Sequence, residues 1–332
     1  MSNINIFINS NSSAGFVSYY DSNTVSLRHA ISLSSYPSVA AEDIIKSVIA
    51  NAPDAEIIHN CIDSRIEGVI LPGQSASVIN IPAYCTQSRL ISIPENLTAF
   101  KECKNHLNEA HKEFKEALKV HDNWEKIYLD NINFDALDAL ELRLENIIFD
   151  GEPFGKTPLV RDRFFGAATA DGSKDYVENI TGGCKKRYFI KGRPGSGKST
   201  IMKKLLQKAC KMGIDTDVYH CAFDPKSLDM LVFKDLNVCI FDSTAPHEYF
   251  PSLESDEIVD VYKEAIKEGT DEKYEAELDA IKADYASHIA AATGHLKNAR
   301  ECYEYVNRKY LERIDYAELE NVKDVILNKI FG

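Results

Sequence analysis

The chain has 332 residues, of which 44% are apolar and 27% charged, and a formal net charge of −13. That length suffices for two domains with cores of their own, and so acidic a balance argues against nonspecific nucleic-acid binding. No apolar stretch approaches the ~18 residues needed to cross a bilayer, no basic start followed by an apolar run marks a signal peptide, and eight cysteines without a C-x-x-C pair suit reduced thiols in a cytoplasm.

The charge is uneven. Residues 1–155 carry 11 Lys/Arg against 21 Asp/Glu, and residues 156–332 carry 27 against 30. In the first part, Asp54 to Ile62 and Ser77 to Ile81 read as strands. From about Leu97 to Leu129 the pattern turns helical, with Phe100, Cys103, Leu107, Phe114, Leu118 and Trp124 on or near one stripe. A second helix is expected from Phe134 to Phe149, and the short joint Asn131–Asn133 would fold the two into an antiparallel hairpin. Gly151-Glu152-Pro153-Phe154-Gly155 reads as a linker.

The second part opens with Arg161 to Thr169, a strand running into a small-residue turn. Arg187 to Lys191 is a strand that enters the glycine-rich run Gly192 to Thr200. A helix leaves it, with Ile201, Met202, Leu205, Leu206 and Ala209 at helical spacing, and ends at Gly213. Strands are expected at Asp217–Cys221, Asp229–Val232 and Leu236–Asp242, the last closing on an acid. Such alternation favours a parallel sheet covered on both faces. Thr270 is placed to cap a long helix striped by Ile281, Tyr285, Ile289, Leu296, Ala299 and Tyr303, and a final helix spans Tyr316–Phe331.

The two parts match each other. Glu56 to Asp63 parallels Asp217 to Asp224 at an offset of 161, and Tyr128 to Phe134 parallels Tyr310 to Tyr316 at an offset of 182. Ala14-Gly15 with Tyr19 parallels Asp171-Gly172 with Tyr176. Matches in chain order point to a tandem duplication.

Gly192, Gly197, Lys198 and Ser199 fill the pattern G-x-x-x-x-G-K-[ST] of the phosphate-binding loop. Gly192, Gly195 and Gly197 allow backbone angles that turn consecutive N–H groups inward, with Arg193, Pro194 and Ser196 between them. The following helix adds its free N–H groups and positive dipole end. Lys198 supplies a cation for the β and γ phosphates, and Ser199, followed by Thr200, supplies a hydroxyl for Mg2+. Asp242 is expected to complete the metal shell. His247 and Glu248 are the nearest titratable groups for a general base. His220, Cys221 and Asp224 lie at the strand edge where open α/β sheets bind ligands, although a buried Cys and a hydrogen-bonded His is the plainer reading. Arg193 or Arg163 could neutralise phosphate charge. The basic residues near the loop, such as Lys185, Lys186, Lys203 and Lys204, read as a solvated face that also attracts phosphate.

At the 161 offset the loop falls on Ile31-Ser32-Leu33-Ser34-Ser35-Tyr36-Pro37-Ser38, which has neither glycine nor lysine; Pro37 stands where Lys198 stands, and Pro82 aligns with Asp242. The first copy is therefore expected to bind no nucleotide.

The residues Arg163 to Thr169, Arg187 to Thr200, Tyr219 to Asp229, Phe241 to Phe250 and His121 to Tyr128 together resemble a group of bacterial predicted ATPases from spore-forming Gram-positive bacteria. That group is built from two P-loop NTPase halves. Its first half carries its own phosphate loop and a D-G-T-A-P-H segment, where this chain reads Ile31 to Ser38 and Pro82-Ala83-Tyr84. The resemblance thus implies the fold and the nucleotide, with one site instead of two.

The expectation is an α/β chain of two duplicated P-loop NTPase-like parallel-sheet domains, each with an appended helical hairpin. Residues 1–155 would form the degenerate domain (hairpin about 97–149) and 156–332 the active one (hairpin about 256–331). The expected ligands are ATP and Mg2+, and the expected activity is a slow or partner-stimulated ATPase. A small-molecule or nucleotide kinase and a nucleotide-gated binding module are the alternatives, and the hairpins are the candidate surface for a protein partner.

Overall fold

The computed structural model describes residues 3–33, 36–80, 98–245, 247–312 and 314–332. The first part begins with β1 (Ile4–Ile6), a hairpin of β2 (Asn9–Ser12) and β3 (Gly15–Ser18), α1 (Tyr20–Thr24), β4 (His29–Ser32) and α2 (Ser38–Ile49). It continues through β5 (Glu56–His59), β6 (Ile66–Leu71), β7 (Ala76–Ile79), the long α3 (Thr98–Leu129) and α4 (Phe134–Ile148). The second part repeats this order with β8 (Val160–Arg163), the hairpin β9 (Gly166–Thr169) and β10 (Gly172–Asp175), α5 (Val177–Thr181), β11 (Lys186–Lys191) and α6 (Lys198–Met212). β12 (Thr216–His220), β13 (Leu228–Phe233), β14 (Val238–Asp242) and β15 (Glu257–Asp260) follow. The short α7 (Val261–Ala265) and α8 (Thr270–Lys273) lead to α9 (Glu275–Leu311) and α10 (Tyr316–Phe331). No helix among the described residues is long and apolar enough to cross a membrane.

The first sheet has the order β1-β5-β6-β7-β4 and the second β8-β12-β13-β14-β11-β15. Five strands thus recur in the same order and directions, down to a register shift at Ile58/His59 in one sheet and Tyr219/His220 in the other. The sheets are mixed instead of parallel, because β6 and β13 each run antiparallel to both neighbours. The connections force this. Lys234–Asn237 turns β13 into β14 with Asn237 at φ 58°, and a 3-10 turn over Pro72–Gln74 ends at Ser75 with φ 49°. Neither is long enough for the crossover that parallel neighbours need.

Phe7 and Phe164, counterparts in the two halves, pair with each other. Phe7 N–H donates to the Phe164 carbonyl at 3.0 Å and Phe164 N–H to the Phe7 carbonyl at 2.8 Å. About this pair the halves exchange parts. Ser13 N–H bonds the Phe223 carbonyl while Ala170 N–H bonds that of Ile62. Likewise α1 packs on β8 while α5 packs on β1.

The long helices are exchanged as well, which corrects the hairpins expected at about 97–149 and 256–331. α3 packs along α9, with Tyr128 Oη donating to Asp271 at 2.8 Å at one end and His288 against Glu113 at 2.7 Å further along, so the two run antiparallel. Cys103, Leu107, Ala110 and Phe114 of α3 meet Ala292, Leu296, Ala299 and Tyr303 of α9. This uses up the α3 stripe, and α4 instead lays Leu137, Leu140, Leu144 and Ile148 on Ile201, Met202 and Leu205 of α6. At ~1.5–3 kcal/mol for each buried side chain, those four stabilise the contact by roughly 6–12 kcal/mol. Symmetrically, α10 covers α2 of the first half with Leu319 and Ile326. The helices thus serve each other's halves, while Phe134, Leu142 and Ile147 of α4 and Tyr316 and Val325 of α10 stay exposed. Thr270 does not cap α9: its hydroxyl donates back to the Lys267 carbonyl, and Gly269 precedes the short α8.

A buried charge cluster joins the two sheets. Arg161 forks onto Glu56 with two bonds of 3.1 Å and reaches Asp217 at 2.8 Å. Arg163, fully enclosed, bonds Glu56 at 2.5 Å and Asn23 at 2.8 Å. Burial opposes the Glu56 and Asp217 charges, but the two guanidiniums outweigh it and hold both carboxyls below the usual range. Arg163 is therefore a structural cation, committed to Glu56 and Asp217.

Candidate functional site

The glycine run sits where β11 hands over to α6, at the edge to which β14 also points. Gly195 (φ 73°) and Gly197 (φ 96°) take the left-handed conformation that side chains disfavour. Space is short as well. A Cβ on Gly195 would lie 2.4 Å from the Glu125 carbonyl oxygen of α3, one on Gly197 2.6 Å from Leu137 of α4, and one on Gly192 2.5 Å from Ser196 Oγ. The first half's helices therefore form the wall against which the second half's loop is moulded.

Lys198 opens α6 and folds back, donating from Nζ to the Arg193 carbonyl at 2.9 Å and standing 3.5 Å from Asp242 Oδ2. Ser199 Oγ accepts from the Leu228 N–H at 2.9 Å, tying the first turn of α6 to β13. Three polar atoms here are buried and lack a partner among the described residues: Ser196 Oγ, Thr244 Oγ1 and the second Asp242 oxygen, Oδ1. Orphaned acceptors beside a glycine cradle fit an anion and its cation.

Arg193, Pro194, Gly195, Ser196, Gly197, Lys198, Ser199, Thr200, Asp242 and His247 all line one cavity of about 1180 Å3. That exceeds the ~300–1,000 Å3 of typical small-molecule pockets. The cavity continues along the α3–α9 seam past His121, Trp124, Phe223 and Tyr285, and the Trp124 indole N–H is buried there without a partner among the described residues. Gly192 lies beneath the loop and is not part of the lining. Glu248 is outside it too: its carboxylate is half exposed and stands 3.5 Å from Lys191.

His247 is held firmly. Its Nδ1 lies 2.6 Å from Asp175 Oδ2, Tyr249 Oη donates to the other Asp175 oxygen, and Phe165 packs edge-on against the ring. Burial opposes the Asp175 charge, yet these two bonds outweigh it and keep the carboxyl below its usual range. Arg193 is turned aside, bonded to Asp271 at 2.9 Å and laid over the Tyr262 ring. His220 is structural, with Nδ1 at the Pro225 carbonyl (2.8 Å) and Nε2 at Asp162 (2.9 Å). Its counterpart His59 makes the same pair of contacts, to Ser64 and Asn5. On α3, His121, Asp122 and Glu125 bring possible metal-binding atoms within 4.8 Å of one another at the cavity rim; burial lowers the His121 pKa and raises that of Glu125.

One acid of the cavity reads in the sequence as a strand residue with no role at the site. Asp229 stands on β13, where burial and then the Asp242 charge push its pKa up to about 7. An acid inside the apolar run Leu228 to Phe233 was a visible signal, repeated by Glu67 inside Ile66 to Leu71.

In the first half, the register puts Asn80 where the second has Asp242, since Ile79 pairs with Gly68 as Phe241 pairs with Met230. This corrects the alignment of Pro82 with Asp242. Pro82, Ala83 and Tyr84 lie outside the described residues, as do Ser34 and Ser35. Pro37 precedes α2 as Gly197 precedes α6, so Ser38, not Pro37, stands in the place of Lys198. Compared with protein-family models, with curated proteins and with solved structures, the chain matches none.

Proposed function

We propose that the chain is a P-loop nucleoside triphosphatase made of two copies of one unit, which binds Mg-ATP once, at residues 192–200 and 242, and hydrolyses it slowly or under stimulation by a partner. The observation that carries this reading is the G-x-x-x-x-G-K-S run at a strand–helix junction, with Gly195 and Gly197 in left-handed backbone and Ser196 Oγ and Asp242 Oδ1 buried without partners among the described residues. The loop N–H groups would bind phosphate oxygens, and Lys198 would exchange the Arg193 carbonyl for them. Ser199 and Asp242 would hold Mg2+, which when bound neutralises phosphate charge. His247, its Nδ1 engaged by Asp175, presents its other nitrogen for a proton from the attacking water. The first copy has no glycine or lysine at 31–38, and an amide, Asn80, in place of the acid.

Calorimetric titration with a nonhydrolysable ATP analogue should give about one equivalent per chain. Lys198→Ala should abolish binding or lower turnover on the order of 10²-fold or more, as loss of transition-state charge stabilisation requires. Wild-type turnover in Lys198→Ala, or two equivalents per chain, would overturn the reading. The length of the cavity favours a second reading, phosphoryl transfer to a small acceptor seated between α3 and α9. Product formation that depends on an added acceptor, in place of phosphate release, would select it.

A further inference from the structure

The chain carries two acids side by side where one would serve. Met230 of β13 registers with Phe241 of β14, and Asp229 and Asp242 follow just beyond that pair, with Asp229 at the bulge where β13 steps past His220. Both line the cavity, and like charges brought together on neighbouring strands are destabilising. Lys198 stands 3.5 Å from one Asp242 oxygen, and the other has no partner among the described residues. The Leu228 N–H bond to Ser199 brings that hydroxyl within one residue of Asp229. Resting on the nucleotide-binding reading above, we propose that Asp229 is a second carboxylate for the divalent cation, so that the ion is held between β13 and β14 with Ser199 instead of from β14 alone.

The first half supplies an internal control. Glu67 occupies the place of Asp229, and Asn80 that of Asp242. There the single acid is answered by amides, with Asn9 Nδ2 at 2.5 Å from one oxygen and Asn60 Nδ2 at 2.5 Å from the other. In the second half, Gly166 pairs with Asp175 as Asn9 pairs with Ser18, and Cys221 follows His220 as Asn60 follows His59. Both amides are gone, Cys221 in the place of Asn60 meets Asp229 instead, and a second acid is present. Oxygen donors of this charge, with a hydroxyl beside them, are the set a hard divalent cation takes. In the first half one acid is answered by amides; where two acids stand together, a divalent ion would offset their mutual repulsion.

The test uses the full chain, Mn2+ as probe and a nonhydrolysable ATP analogue, with bound metal read by electron paramagnetic resonance. Asp229→Asn should weaken Mn2+ about 10–100-fold in the ternary complex, while metal-free binding of the analogue stays equal or tightens. Asp229→Glu, which keeps the carboxylate, should recover part of the loss. Thermal melts establish that each variant is folded, and Asp229→Ser replaces Asp229→Asn should the latter not be. Wild-type Mn2+ affinity in the folded Asp229→Asn chain overturns the proposal and leaves the nucleotide reading standing. A wild-type chain that binds no Mn-nucleotide overturns both.

Discussion

Glu67 makes the folded state hold a proton that the unfolded chain releases. It is enclosed, with Asn9 and Asn60 each donating to one oxygen. Burial pushes its pKa up to about 8 despite those donors, against about 4.3 in an unfolded chain. Between these values the native state binds the extra proton, so stability falls as pH rises, by about 1.4 kcal/mol per unit. From about pH 5.5 to 7.5 the loss amounts to roughly 2–3 kcal/mol. Glu67→Gln keeps the shape and removes the titration. Asn9 Oδ1, which has no partner among the described residues, can accept the new amide once the Asn9 side chain flips. The variant should match wild type within about 1 kcal/mol near pH 5.5 and exceed it by about 2–3 kcal/mol near pH 7.5. Urea denaturation of both proteins at both pH values measures this. Parallel pH profiles for the two would refute it.

Arg163→Met should cost about 3–5 kcal/mol, since it leaves buried carboxylates short of a partner, and urea unfolding should remain a single transition because the cluster spans both sheets. A loss below about 1 kcal/mol, or two transitions, would count against that role. The stability that Glu56 and Asp217 contribute is present at neutral pH and is lost as pH falls below about 4 towards their depressed values. Gly195→Ala and Gly197→Ala share the left-handed strain of about 1–3 kcal/mol, but only the first meets backbone, the Glu125 carbonyl, while the second meets the movable end of Leu137. Gly195→Ala should therefore melt lower, and equal melting temperatures would refute the close fit of α3 to the loop.

The glycine loop, its helix and Asp242 were legible because each depends on neighbours within a few residues. Part of the element list was legible for the same reason, such as β5, β12, β14 and the long helices, and α10 falls on Tyr316–Phe331 as expected, whereas β1 to β4, α2, β6 and β15 were not anticipated. Strand direction was not. An apolar run such as Met230 to Phe233 reads alike in parallel and antiparallel company, and only the length of the turn after it decides. Pro82 was misplaced because no single offset holds: Pro37 answers Gly197, His59 answers His220 and Asn80 answers Asp242, each pair one residue further apart than the one before. Which helix covers which sheet was beyond reach. The stripe on α4 states that it needs an apolar partner, and nothing local states whose.

The crossed helices have a consequence for how the chain is made. While the ribosome is still producing the second half, α4 has no α6 to lie on and α2 stays uncovered until α10 emerges. The first half therefore waits, with apolar faces open, for segments synthesised long after it. Open apolar faces of this kind are what chaperones bind during synthesis, and a product cut before α10 would lack the cover of α2 in the opposite half, not of its own.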